Sequence, residues 1–592
     1  MKKRKLLALL AALLTVSLLL SGCVFGLPAD VLDRLLDTTT ETPTEAPTQT
    51  PTETPIPFER DAEPLFDAVS FDEMQYERPD REALCNELAD VQALVEQGGA
   101  LDEVLDAFDA AYNDYLVFDT MASLAYIHYT LDLEDTFYTE ENSWFDEQSP
   151  LVSQALEKCY IAMSQSPLRD DLEDELFGEG FFEFYDENQV YSNDRVVELM
   201  QQDAALQTEY MSLQSNRTIE WNGQEQLFDD VMDAVSSDFT SYLAAYKAYY
   251  NKYNPLVADI FIRQIRVRKE IAQELDYDSY ADFAYEYTYQ RDYTPAQAAQ
   301  YTGDIAEQMS GLFYAAAYGS YSEDMDVQTS FALLADAAET FGGEIKQAYD
   351  YMLEYGLYDL TESPSKMPGS YMTYLSAYEM PFLYVSPTGT IDDLLTETHE
   401  FGHFVDGYVN CGGTTAIDCN EIFSQGLEFL MLSRARLTQA QQQALTVSKV
   451  SDSVMVFLGQ GCYAAFEQAA YELPDDQLTA ENLNQLFLQC NEAFGMGVPG
   501  LEDIVAPGWI DIQHFLIAPF YVISYCISND AALQIFQLEE ESGTGLEAYR
   551  TLMSLSAENT VLNLLDEAGL ESPFAAGRVA ELTEFLMKEI YQ

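Results

Sequence analysis

A chain of 592 residues with 48% apolar side chains, 40 Tyr and 33 Phe is too long for one small core and too apolar for a disordered chain, so two or more packed substructures are expected. Its 27 basic and 102 acidic residues give a net charge of −75, a field that repels phosphate and excludes free nucleic acid and anionic membrane surfaces as partners. The acidity serves solubility outside a cell or in salt, or draws cationic peptides toward an acidic cleft, and its sign names no substrate.

The N-terminus comes first. Lys2-Lys3-Arg4-Lys5 is a basic run, and Leu6 to Leu20 is an apolar stretch too short for a comfortable membrane span. It ends in Leu20-Ser21-Gly22-Cys23, which resembles a bacterial lipobox. Residues 1–22 then form a lipoprotein signal peptide, and Cys23 receives lipid on its sulfur and new amino terminus; a plain secretory signal is the alternative. No later stretch is apolar for long enough to span a bilayer, so the membrane is reached only through the lipid, at the extracellular face of a bacterial membrane. Residues 23–60 contain a four-residue repeat, Thr-Glu-Thr-Pro and its variants over 40–55, which builds no core and is expected as a polyproline-like stalk. At about 3.1 Å per residue it reaches roughly 50 Å. Seven further cysteines (Cys85, Cys159, Cys411, Cys419, Cys462, Cys490 and Cys526) form no disulfide framework, and without Cys-x-x-Cys a thiolate zinc site has no support.

From about residue 60, apolar residues recur at three- and four-residue spacing. The spacing predicts helices over Leu101–Phe118, Val152–Met163, Val197–Leu213, Phe239–Tyr253 and Gln439–Leu458. Phe382–Ser386 is the best strand candidate. The expected fold class is mainly α, with one small sheet beside the candidate site. Turn residues at Ser215–Thr218 and Trp221-Asn222-Gly223 suggest an N-terminal helical domain over 61–215 and a catalytic domain over 216–592.

Histidine is rare, four in 592, and two of them stand in Thr-Glu-Thr-His399-Glu400-Phe-Gly-His403. On a helix, residues four apart share a face, so both imidazoles point to one spot. Glu400 is placed to act on a water bound to a metal held there. This is the zincin signature. A catalytic zinc takes three protein ligands and leaves one position open. Cys411-Gly412-Gly413 stops the first helix, and Asp418-Cys-Asn-Glu421 opens a second that carries Glu421 and Glu428, seven residues apart on one face. Either carboxylate is a candidate third ligand; Asp418 is the expected cap, with a capping box closed by Glu421 as the purely structural alternative.

A third cluster holds His514, Pro519, Tyr521 and Tyr525, the two tyrosines one turn apart. Peptide hydrolysis by a metal-activated water builds an oxyanion that needs donors opposite the metal, and phenols and an imidazole supply them. The remaining histidine, His128, is expected as a packed helix residue.

Pro381-Phe-Leu-Tyr-Val-Ser-Pro-Thr-Gly-Thr-Ile-Asp-Asp-Leu-Leu-Thr-Glu-Thr-His-Glu-Phe-Gly-His403 resembles the metal-binding region of oligoendopeptidase F and its thimet-oligopeptidase-like relatives. Glu421-Ile-Phe-Ser-Gln-Gly-Leu-Glu428 resembles that family's third-ligand helix, and His514-Phe with Pro519 to Tyr525 resembles its C-terminal segment. The three motifs stand in the family's order over about 150 residues; the N-terminal half is similar only in being helical. The resemblance implies one Zn²⁺ on His399, His403 and Glu421, with Glu400 as base and proton shuttle. It implies Tyr525 and His514 at the oxyanion and Tyr521 on substrate. It also implies a helical ellipsoid with a deep channel and a zincin-type core, acting as a metalloendopeptidase on short peptides. A carboxypeptidase, a dipeptidyl carboxypeptidase and a non-enzymatic peptide-binding lipoprotein are the alternatives. One departure matters: the loop from His403 to Glu421 is short for the family. Spacing therefore favours Glu428 as ligand and local residue match favours Glu421, with Glu428 then a partner for a ligand imidazole.

Overall fold

The computed structural model describes residues 58–591 apart from 59, 61, 63, 178–180, 183–192, 215–216, 237, 318, 320, 413–416 and 556–559. The signal peptide, Cys23 and nearly all of the stalk lie outside the described residues. The described chain is mainly helical with two small sheets. None of its helices is long and apolar enough to cross a membrane. The helices bearing the motifs are α1 (Phe239–Glu274), α2 (Asp392–Val409), α3 (Asn420–Arg434), α4 (Gln439–Glu472) and α5 (Ile523–Ser542).

Each predicted helix lies inside an observed one that is longer. Leu101–Phe118 is the start of Leu101–Leu131, and Gln439–Leu458 is the start of α4. Further along, these helices are buried on more than one face, so the one-sided periodicity that marks their starts is lost. In α1, Ile260, Phe261, Gln264, Ile265 and Arg268 are all buried in sequence, and Pro255 sits inside the helix without ending it.

By its internal contacts the chain divides into two compact units, each assembled from separated stretches. One comprises 52–192 with 324–414; the other contains 193–323 with 415–592. The second holds a sheet the sequence reading lacks: β1 (Thr218–Trp221) pairs antiparallel with β2 (Gln224–Leu227). The turn residues expected at a domain boundary close this hairpin, with Asn222 at φ +51° and Gly223 at φ +80°. Two successive positive φ angles are what a two-residue hairpin turn matching strand twist requires, and Asn-Gly supplies them at least strain.

In the first unit, β3 (Tyr358–Asp359), β4 (Ser370–Leu375) and β5 (Met380–Val385) form a sheet in the order β3-β5-β4. β5 is central and buried at all six positions, parallel to β3 and antiparallel to β4 with Leu375 opposite Met380. α2 lies against this sheet at Gly407, where a Cβ would come 3.3 Å from Pro381 and 3.6 Å from Met372. The loop into α2 is folded back by buried Asp393, whose carboxylate accepts from the Thr388 and Gly389 amides at 2.8 Å each. α2 stops at Cys411 and Gly412, both at positive φ. In this unit His128 is a packed helix residue: its ring stacks on Tyr138 at 4.4 Å, and burial lowers its pKa.

Candidate metal centre and active site

On α2, helical spacing brings the His399 and His403 rings to 5.0 Å between centroids, 80° apart in plane. Both are partly exposed, and Glu400 beside them is 5% exposed. His399 and His403 each offer one ring nitrogen on the same helix face, and Glu421, on α3 of the other unit, offers the carboxylate that the pattern calls for. Two imidazoles and a carboxylate, with a second carboxylate adjacent, are the donor set a catalytic zinc takes, so the residues fit the metal their pattern implies.

Glu421 is held by its own helix: its Oε2 accepts from Ser424 Oγ at 2.8 Å. Glu428, two turns on, forms an ion pair with Lys449 of α4 at 2.7 Å, the side chains 6% and 12% exposed. The Glu428 carboxylate is thus committed to a cation of its own unit. Asp418 is not the cap it was expected to be. It lies in the one-turn helix Ile417–Cys419, and the residue before α3, Cys419, makes no side-chain cap. A buried guanidinium and two hydroxyls take its carboxylate instead: Arg291, Tyr293 and Ser524.

His514, Tyr521 and Tyr525 converge. The imidazole stacks on Tyr521 at 5.7 Å and 10°, and meets Tyr525 edge-on at 5.9 Å. His514 Nε2 lies 3.5 Å from the Tyr525 hydroxyl, while its buried Nδ1 has no partner among the described residues. Burial lowers the His514 pKa, so the imidazole is neutral at pH 7. Burial, with the Glu421 and Asp418 charges, pushes Tyr521 up to about 12; burial, Tyr521 and Glu421 raise Tyr525 further. Both phenols therefore keep their protons and remain donors.

Several groups escape sequence reasoning. Glu397, two residues before His399, is fully buried; Ser330 donates to its Oε1 at 2.7 Å and its Oε2 has no partner among the described residues. Burial pushes it up to about 8. Glu467 of α4, also up to about 8 by burial, accepts the Phe520 amide at 2.8 Å. Arg291 and Arg268 are fully buried side chains beside the C-terminal segment. Rarity was the available signal: in so acidic a chain, Arg291 within Tyr285-Glu-Tyr-Thr-Tyr-Gln-Arg-Asp-Tyr293 stands out as the histidines do.

A mainly helical fold with a His-Glu-x-x-His helix defines a zincin-type core. Residues 71–193 match the model of the peptidase M3 N-terminal domain, and residues 344–584 match that of peptidase family M3. The chain belongs to peptidase family M3, on its oligoendopeptidase F side. Its N-terminal half, recognisable in sequence only as helical, carries a domain of the same family. The chain is 27% identical over 315 residues to the chromosomal oligoendopeptidase F of Lactococcus lactis subsp. cremoris, covering 49% of this chain and 50% of that one. It is 24% identical over 280 residues to oligopeptidase PepF of Bacillus subtilis (strain 168), covering 43% and 40%. The chain thus spans about half the length of the curated relatives it matches. Among solved structures, PZ peptidase A with inhibitor 2 matches with a TM-score of 0.71 at 23% identity, over 88% of this chain and 99% of that one. Oligoendopeptidase F from Enterococcus faecium matches with a TM-score of 0.57 at 16% identity, over 86% and 97%. These likenesses speak to the fold.

Proposed function

We propose that this chain is a zinc-dependent metallopeptidase that cleaves short oligopeptides internally, tethered through lipid on Cys23 to the extracellular face of a bacterial membrane. The observation that carries the catalytic reading is the α2 helix, whose His399 and His403 rings stand 5.0 Å apart with Glu400 buried beside them; Glu421 is the proposed third ligand. Zinc bound there supplies a Lewis acid for the scissile carbonyl and a lowered pKa for an attacking water. Glu400 takes the proton from that water and passes it to the leaving amine. Tyr525 and His514 donate to the developing oxyanion, which their neutral forms permit, and Tyr521 contacts substrate. The lipobox-like Leu20-Ser21-Gly22-Cys23 supports the tether.

The test is hydrolysis of a quenched short peptide by the purified protein, with and without a chelator. Cleavage is expected to vanish on chelation and to return with stoichiometric zinc. Peptides blocked at both ends are expected to be cut within the chain; cutting only those with a free C-terminus would replace this reading by a carboxypeptidase or dipeptidyl carboxypeptidase. Labelling by a radioactive fatty acid, lost in Cys23→Ser, tests the tether separately.

A further inference from the structure

The segment that carries Tyr521 and Tyr525 enters α5 through a costly backbone turn. Phe520 has φ +64°, a region that a bulky side chain adopts only when its surroundings impose it. Three groups impose it here, the Glu467 and Arg291 side chains fully buried and Tyr289 half-buried. Glu467 accepts the Phe520 amide at 2.8 Å, Tyr289 donates its hydroxyl to the Pro519 carbonyl at 2.8 Å, and Arg291 Nη1 donates to the Phe520 carbonyl at 2.8 Å.

The same guanidinium goes further. Its Nη2 donates to Ser524 Oγ at 2.8 Å and to Asp418 Oδ1 at 3.1 Å, and its Nε donates to Asp418 Oδ2 at 3.1 Å. The rings of Tyr285 and Tyr289 each lie 4.5 Å from it. Asp418 stands three residues before Glu421, and its own carbonyl accepts from Ser528 Oγ of α5 at 2.6 Å. One buried cation thus binds the lead-in to the Glu421 helix on one side. On the other side it binds the turn and first helical residues that present Tyr521 and Tyr525. A buried ion pair is weak evidence for stability, because apolar residues of similar volume often do as well. What such a fork does enforce is geometry, since its donors point in fixed directions.

We propose that Arg291 is a positioning residue, which fixes Tyr525 relative to Glu421 through Asp418, Phe520 and Ser524. The proposal rests on Tyr525 acting as a transition-state donor. Arg291 keeps its charge across any assay pH, so its effect is on geometry and not on titration.

The test is a double-mutant cycle with Tyr525→Phe, which removes the donor itself. Arg291→Lys keeps the charge and loses the fork; Ser524→Ala removes hydroxyl contacts to both partners and strands no charge. If Arg291 works by aiming Tyr525, Arg291→Lys lowers kcat about 30-fold with KM within about threefold, because misplacement by about 1 Å costs up to 10²-fold. In the Tyr525→Phe background, itself down about 100-fold in kcat, the same change should cost less than about threefold more. Ser524→Ala should follow the same pattern with a smaller first step. Equal fold losses in the two backgrounds, or wild-type kcat in both variants, overturn the proposal. Wild-type kcat in Tyr525→Phe alone overturns instead the donor reading it rests on, and the proposal falls with it. Melting curves accompany each variant: should Arg291→Lys not fold, the Ser524→Ala cycle decides, and loss of folding in both assigns these residues to the fold and overturns the positioning role.

Discussion

Glu400 carries the sharpest demand on a single side chain. In the mechanism proposed above it accepts a proton and releases it within one turnover, a task that contributes about 10²–10⁴-fold in general acid–base catalysis. The amide of Glu400→Gln has nearly the same volume and leaves His399, His403 and Glu421 untouched. The variant is therefore expected to bind one zinc, by metal analysis after dialysis, while peptide hydrolysis falls by at least about 10²-fold. Stoichiometric zinc with near-wild-type turnover would remove Glu400 from its role. Loss of zinc would show that the substitution reaches beyond proton transfer.

At the scale of the element, α3 presents two carboxylates on one face, and helical periodicity alone cannot rank them. What separates them is their company. Glu428 is neutralised by Lys449, while the Glu421 carboxylate accepts from the neutral hydroxyl of Ser424 and is the proposed ligand. Glu421→Gln is thus expected to lose stoichiometric zinc, whereas Glu428→Gln keeps it and is destabilised, because Lys449 is left in a nearly dry site without its counter-ion. A zinc-free Glu428→Gln protein alongside a zinc-replete Glu421→Gln would reverse the assignment. The contrast shows where local sequence stops. The His399-Glu400-x-x-His403 spacing was legible because one helix fixes it, and β5 in part: the expected strand Phe382–Ser386 overlaps the observed Met380–Val385, which begins two residues earlier and is buried on both faces. Arg291, Glu467 and the left-handed Phe520 were not, since their partners lie in distant segments and nothing in a window of neighbours encodes them. Asp418 shows the same limit: a good capping residue by local rule, it was claimed by a buried arginine 127 positions away. The hairpin at Asn222-Gly223 differs, since Asn-Gly marks a domain boundary and a two-residue strand-pairing turn equally well, and only the flanking pairing decides.

For the whole molecule, the net charge of −75 and the buried acids act on stability with the same sign, and salt separates them. Glu397 and Glu467 are raised by burial from 4.5 to about 8, so the folded chain holds protons that the unfolded chain releases. Their contribution is fully present below about pH 4.5 and is lost as pH rises through about 8. His128 and His514, lowered by burial, work the opposite way, but only below about pH 6.5. The window from pH 6.5 to 8 therefore lies above those two imidazoles and reaches the raised acids. In metal-free protein the Tm is expected to fall across that window. In 1 M NaCl, where the screening length is about 3 Å, repulsion among surface carboxylates is largely removed and the Tm should rise overall. The fall with pH should nevertheless persist, because the two buried carboxyls lie beyond the reach of screening. Glu467→Gln, which keeps an oxygen to accept the Phe520 amide, should make that fall shallower at both salt concentrations. A slope that vanishes in 1 M NaCl would assign it to surface charge alone, and an unchanged slope in Glu467→Gln would move the buried proton to another group.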